Sequence, residues 1–146
     1  MIESEARDAI VSEAKTWLRT PWHHRGCVKG AGVDCVFLLV GVYNAVGIAD
    51  IKDADIPYYP ADIMMNRNSE TVLEEVMRRA YEVDAPDVGD IAVWKFGRIY
   101  SHAAIVTAWP EIIHAHRRDG MVVMDSGCNG ELINREVKFF SFWGGK

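Results

Sequence analysis

The chain has 146 residues, 49% of them hydrophobic and 25% charged, with a formal net charge of −5. That supplies apolar material for one packed core and predicts a single domain over residues 1–146. The acidic balance excludes a nucleic-acid partner held by clustered Lys and Arg on phosphates, and the three cysteines, an odd number, argue against a disulfide framework and for a free thiol or a reducing compartment.

The first residues, Met1 to Asp8, are acidic and lack the basic-then-apolar build of a signal peptide, which predicts a cytoplasmic start. Residues 4 to 19 place Ala6, Ile10, Ala14, Trp17 and Leu18 on one face ahead of Pro21, the pattern of an amphipathic helix. A glycine-punctuated loop from Pro21 to Gly32 follows, carrying Trp22, His23, His24, Arg25, Cys27 and Lys29. It runs into Gly32-Val33-Asp34-Cys35 and then a long apolar stretch in which Leu38, Leu39, Val42, Tyr43 and Val46 recur at helical spacing. The spacing predicts a buried helix that begins at Asp34 or Cys35 and stops at Gly47. This stretch, Cys35 to Ala49, is interrupted by Asn44 and is too short to span a bilayer, so no membrane insertion is expected.

Residues 49 to 68, with Pro57, Pro60 and several Asp and Asn, read as an irregular surface loop, and Ser69 as the cap of a helix through about Tyr81 with Val72, Val76 and Ala80 inward. Past Pro86 short apolar runs separated by turns predict strands at 91–96, 102–107, 112–116 and 121–125, with further candidates at 131–135 and 137–143. Helices first and an antiparallel sheet afterwards make an α+β fold, with the Cys35 helix as the element to pack across the sheet.

The chemistry centres on Cys35. In the first turn of a helix, free N–H groups and the helix dipole favour a thiolate, although a lone cysteine is also an ordinary small core residue. A thiol nucleophile needs an imidazole in reach and a third group to orient that imidazole. His102 opens a strand after a turn. His114 and His116 share one face of the next strand, their α-carbons about 7 Å apart, and either satisfies the register needed to back His102. His23, His24, Cys27 and Cys35 lack the spacing of a zinc site, so no metal is expected, and Cys27 and Cys128 read as bystanders.

These residues fall in a pattern that resembles the NlpC/p60 family of cysteine peptidases. Thr20-Pro21-Trp22 resembles the family's T-P-Y segment, and Gly32-Val33-Asp34-Cys35 its G-x-D-C nucleophile turn. Gly89-Asp90-Ile91 resembles its G-D-L/I step into the sheet, Ser101-His102-Ala103-Ala104-Ile105-Val106 its base-bearing strand, and Ile112-Ile113-His114-Ala115 the strand of its third residue. The resemblance implies a papain-like fold in which Cys35 is the nucleophile, His102 the base and acid, and His114 the orienting group. It further implies hydrolysis of peptidoglycan stem peptides at the D-glutamyl–diaminopimelate bond, with the backbone N–H of Cys35 helping to hold the oxyanion and no cofactor. Trp22, Asp34, Arg25 and Ser101 are the expected substrate contacts, with Arg25, Lys29, Arg117 and Arg118 as candidate partners for carboxylates. Two departures stand out. Val36-Phe37 replaces the usual small pair and is expected to narrow the space beside the thiol, and Trp22 lacks the hydroxyl of the usual tyrosine. His23-His24 and the absence of a wall-binding module point to the phage-tail, prophage or gene-transfer-particle branch, with tail proteins as partners and delivery to the periplasm or wall. The alternative is a tail-assembly or structural component with the same fold and little turnover, and a third reading is acyl transfer or amide hydrolysis on another substrate.

Overall fold

The computed structural model describes residues 1–61 and 70–144. Helix α1 spans Glu3–Lys15, two-residue strands β1 (Cys27–Val28) and β2 (Gly32–Val33) pair in the following loop, and α2 spans Cys35–Val46. After α3 (Thr71–Met77) come β3 (Tyr81–Val83), β4 (Ile91–Phe96), β5 (Ile99–Ala108), β6 (Glu111–His116), β7 (Met121–Ser126) and β8 (Val137–Ser141). The last six form one antiparallel sheet in the order β3-β8-β4-β5-β6-β7. The architecture is α+β, and no helix among the described residues is long and apolar enough to cross a membrane.

Helix α2 starts where the sequence puts it. Asp34 is its N-cap, accepting from the N–H of Phe37 at 3.0 Å, and Gly47 closes it in the left-handed conformation at φ 86°. Because its apolar residues nearly encircle it, α2 is buried between α1 and the sheet. Val36, Phe37, Leu38, Val42 and Tyr43 share one core with Ile10, Ala14 and Trp17 of the N-terminal segment and with Ile91, Val93, Ala103, Ile105, Ile113 and Ala115 of the sheet. A smaller cluster of Ala92, Trp94, Phe96, Ala104, Val106, Ile112 and Leu132 covers the opposite face, as the two-residue alternation of the strands requires. The side chains of Val36 and Phe37 therefore go into the core and do not crowd the thiol, contrary to the sequence expectation.

The Gly89-Asp90 step is structural. Asp90, 2% exposed, accepts from Arg7 of α1 at 2.8 Å and from the N–H of Asp87, while the Tyr43 hydroxyl donates to the carbonyl of Gly89. Two expectations change. The third helix ends at Met77, because Tyr81-Glu82-Val83 is recruited as a strand by β8. Residues 131–135 form no strand, and Gly130–Leu132 is a single 3-10 turn that drops Leu132 into the second cluster. Ser69, the expected helix cap, lies outside the described residues.

Candidate active site

Thr20-Pro21-Trp22 is threaded between the nucleophile turn and β7. The N–H of Val33 donates to the carbonyl of Pro21 and that of His23 to Val33, while Trp22 donates to Gly120 and Val122 to Thr20. Gly32 has to be glycine, since a Cβ there would lie 2.7 Å from the Cβ of His23. This backbone lattice fixes the start of α2 against the ends of the strands.

A cleft of about 240 Å³ opens at that junction. It is lined by Cys35, Ser101, His102, Phe96, Ala115 and His116, with Trp22, Arg117 and Arg118 also bordering it. The backbone N–H groups of Ala103 and Val36 lie near enough to the sulfur of Cys35 to favour its thiolate, which places it by β5 at the residue next to His102. Helix start and hydrogen bonds both favour the thiolate, as the sequence suggests. Burial and the adjacent Asp34 carboxylate outweigh them, and the thiol is pushed up to about 12.

His102 and His114 are joined directly, Nε2 to Nδ1, at 2.7 Å, and both are buried, His114 completely. Along the sheet, β5 and β6 run in a register that pairs Ile105 with Ile113 and would set His102 level with His116. The ring nonetheless bonds its diagonal neighbour, His114, and this selects between the two candidates left open by periodicity. His116 stacks on His114 with ring centroids 4.7 Å apart and is tied by Nδ1 to Asp119 at 2.8 Å. Desolvation, with help from the neighbouring imidazoles, holds His102 well below its ordinary value and His114 at about 4. The resting site thus contains a neutral thiol at Cys35 and neutral imidazoles at His102 and His114.

Beyond His114 lies Asp125, whose Oδ2 sits 3.2 Å from Nε2 of that ring. Sequence reasoning missed it, although a signal existed: the Arg117–Gly120 turn pairs His116 with Met121 and His114 with Val123, which puts residue 125 on the histidine face of β7. Donor atoms of His114, His116 and Asp125 all lie within 4.8 Å of one another, the one such grouping among the described residues. Both ring nitrogens of His114 are already engaged, so a cation there would have to displace Asp125 or His102.

The expected substrate contacts divide. Trp22 and Ser101 line the cleft, and the hydroxyl of Ser101, 1% exposed, has no hydrogen-bond partner among the described residues. Asp34 does not line it. Its carboxylate is consumed by the N–H groups of Phe37 and Arg25 and by the hydroxyl of Tyr59 at 2.6 Å, which makes it a buried cap. Arg25 is also turned away: its guanidinium donates to the carbonyls of Ile56 and Pro57 and lies over the rings of Phe37 and Tyr59. Lys29 pairs with Glu13 on the far side of the loop. Of the four cations expected to meet carboxylates, only Arg117 and Arg118 reach the cleft, Arg117 above the ring of Trp22 at 5.1 Å. Cys27 donates to the carbonyl of Phe37 with its thiol pushed up to about 11 by burial, and Cys128 is exposed.

No protein-family model matches the sequence, and no curated protein matches it. Solved structures do match in three dimensions. The NlpC/p60 domain of the peptidoglycan hydrolase SagA superposes with a TM-score of 0.59 at 22% identity, over 90% of this chain and 96% of that one. The fold is that of an NlpC/p60 domain. The P60 domain of the M. avium subspecies paratuberculosis antigen MAP1204 gives 0.61 at 14% identity over 95% and 96% of the two chains. An NlpC/p60 family protein from Bacillus cereus gives 0.65 at 21% identity over 90% of this chain, which spans 39% of that longer protein.

Proposed function

We propose that the chain is a cysteine peptidase that hydrolyses peptidoglycan stem peptides, at the D-glutamyl–diaminopimelate bond. The observation that carries the proposal is that Cys35 and His102 line one cleft and that the imidazole of His102 is itself bonded to a second, His114, at 2.7 Å. The NlpC/p60 fold, found in a peptidoglycan hydrolase, supports the choice of substrate class.

With thiol and imidazole both neutral at rest, His102 acts as a general base as the bond forms. The thiol proton passes to Nδ1 of His102 while sulfur adds to the carbonyl carbon, and the negative charge gathers on oxygen near the N–H of Cys35. The imidazolium then protonates the departing amine, the C–N bond breaks and a thioester remains. Water, giving its proton to His102, adds to the thioester and expels the sulfur, which recovers the proton. Arg117 and Arg118 offer charge to the free carboxylates of such a peptide, and the unpartnered hydroxyl of Ser101 offers a donor.

Incubating the protein with purified muropeptides and weighing the products by mass spectrometry tests this. Cleavage between D-glutamate and diaminopimelate is expected, and Cys35→Ala is expected to abolish it while keeping the fold. Undiminished cleavage by that variant would remove the mechanism. A second reading, a tail or particle component with little turnover, is favoured by the thiol's elevated pKa. It predicts that Cys35 alkylates no faster than the exposed Cys128, whereas a working site alkylates Cys35 faster. Delivery to the wall by a phage tail or gene-transfer particle rests on the sequence resemblance at His23-His24.

A further inference from the structure

We propose that Asp125 is a positioning residue that sets the direction of the hydrogen bond between His102 and His114, and with it the proton-accepting nitrogen of His102. The inference rests on the reading of Cys35 and His102 as the reacting pair. It concerns a side chain that the sequence pattern does not include.

A neutral imidazole carries one N–H and one bare nitrogen. Two neutral rings joined through one N···N contact can therefore be arranged in two ways. Either His102 donates from Nε2 to Nδ1 of His114, or His114 donates from Nδ1 to Nε2 of His102. Only the first leaves Nδ1 of His102 bare and able to take the thiol proton. The second puts a hydrogen on that nitrogen and leaves the site without a base. Nothing in the imidazole pair itself chooses between them.

The carboxylate of Asp125 does choose. It has only acceptors, and its Oδ2 lies 3.2 Å from Nε2 of His114. A hydrogen bond there requires the proton of His114 to be on Nε2, which makes its Nδ1 the acceptor and His102 the donor across the 2.7 Å contact. Asp125 is itself held, since its Oδ1 accepts from the N–H of Ser126 at 2.8 Å, and its side chain is one-third exposed. The other titratable groups facing His114 are His102, His116 and Asp119, and Asp119 is bonded to His116. The chain of donors thus runs from His102 through His114 to Asp125, one link longer than the thiol–imidazole–imidazole set.

Nitrogen-15 shifts of the imidazoles near neutral pH report the tautomers directly in the unaltered protein. The expected result is a bare Nδ1 on both His102 and His114. In Asp125→Ala a mixture of tautomers is expected. Alkylation of Cys35 by iodoacetamide should then slow by roughly tenfold or more, in the range lost when a carboxylate behind a functional histidine is removed. The rates at Cys27 and Cys128 should not change. A hydrogen on Nδ1 of His102 in the unaltered protein would overturn the proposal, as would unchanged tautomers and an unchanged Cys35 rate in Asp125→Ala. Should that variant fail to fold, the measurement on the unaltered protein still decides. Neither readout uses a wall fragment, so failure to cleave muropeptides would fell the proposed substrate and leave this inference standing.

Discussion

Asp34 shows how one side chain can set both a helix and the acidity of the residue after it. Its carboxylate caps α2 and gathers the loop before it, through Arg25, and the segment after it, through Tyr59, and its charge is the second cause, after burial, of the elevated thiol of Cys35. Replacement by Asn keeps a capping oxygen and removes the charge. Because a nearby negative charge raises a thiol's pKa, Asp34→Asn is expected to lower it, moving the pH profile of Cys35 alkylation toward neutrality. An unmoved or upward-moved profile would show that the carboxylate does not act on the sulfur through its charge. The cap was legible in the sequence, because Asp directly before an apolar helical run has one common purpose. Its exclusion from the cleft was not, since that depends on Tyr59 and Arg25 folding back from separate segments. Arg25 misled for the same reason: a cation near a nucleophile in sequence reads as a ligand, and only the carbonyls of Ile56 and Pro57 show where it is spent.

At the scale of elements, the contact between α2 and the turn that leaves α1 depends on the absence of a side chain. A Cβ on Gly41 would stand 2.5 Å from Cζ2 of Trp17, and that ring is anchored by its Nε1, which donates to Glu13, and by Lys29 above it. Alanine gains up to about 1 kcal/mol of helix propensity over glycine, while forcing an atom into a packed core costs about 1–3 kcal/mol. Gly41→Ala should therefore lower stability in urea denaturation, and a neutral or stabilising result would mean that Trp17 swings free. Long periodic elements were legible: α2 and strands β4 to β7 lie within a few residues of their expected places, because alternating or helical burial is written into each segment. Short ones were not. Tyr81–Val83 is a strand only because β8 lies beside it, and residues 131–135 had a strand-like composition with no partner strand to use it.

For the whole molecule, the buried imidazoles link stability to pH. His114 titrates at about 4 in the folded chain against an ordinary 6.5, and His102 is displaced in the same direction. Between those values the unfolded chain binds more protons than the folded one, so protonation favours unfolding. Stability is full above about 6.5 and falls as the pH drops toward 4, by up to about 1.4 kcal/mol per pH unit for each group. Chemical denaturation across this window should show the decline, and His114→Gln should flatten it; an equal slope in both proteins would mean that other groups carry the acid response. The sheet order has a consequence of another kind. Strand β8, late in the chain, lies between β4 and β3, so β4 keeps a bare edge and β3 has no neighbour until residues 137–141 have left the ribosome. During synthesis Cys35, His102 and His114 all precede the strand that completes the sheet, and a nascent chain carries the three of them well before the sheet around them is whole.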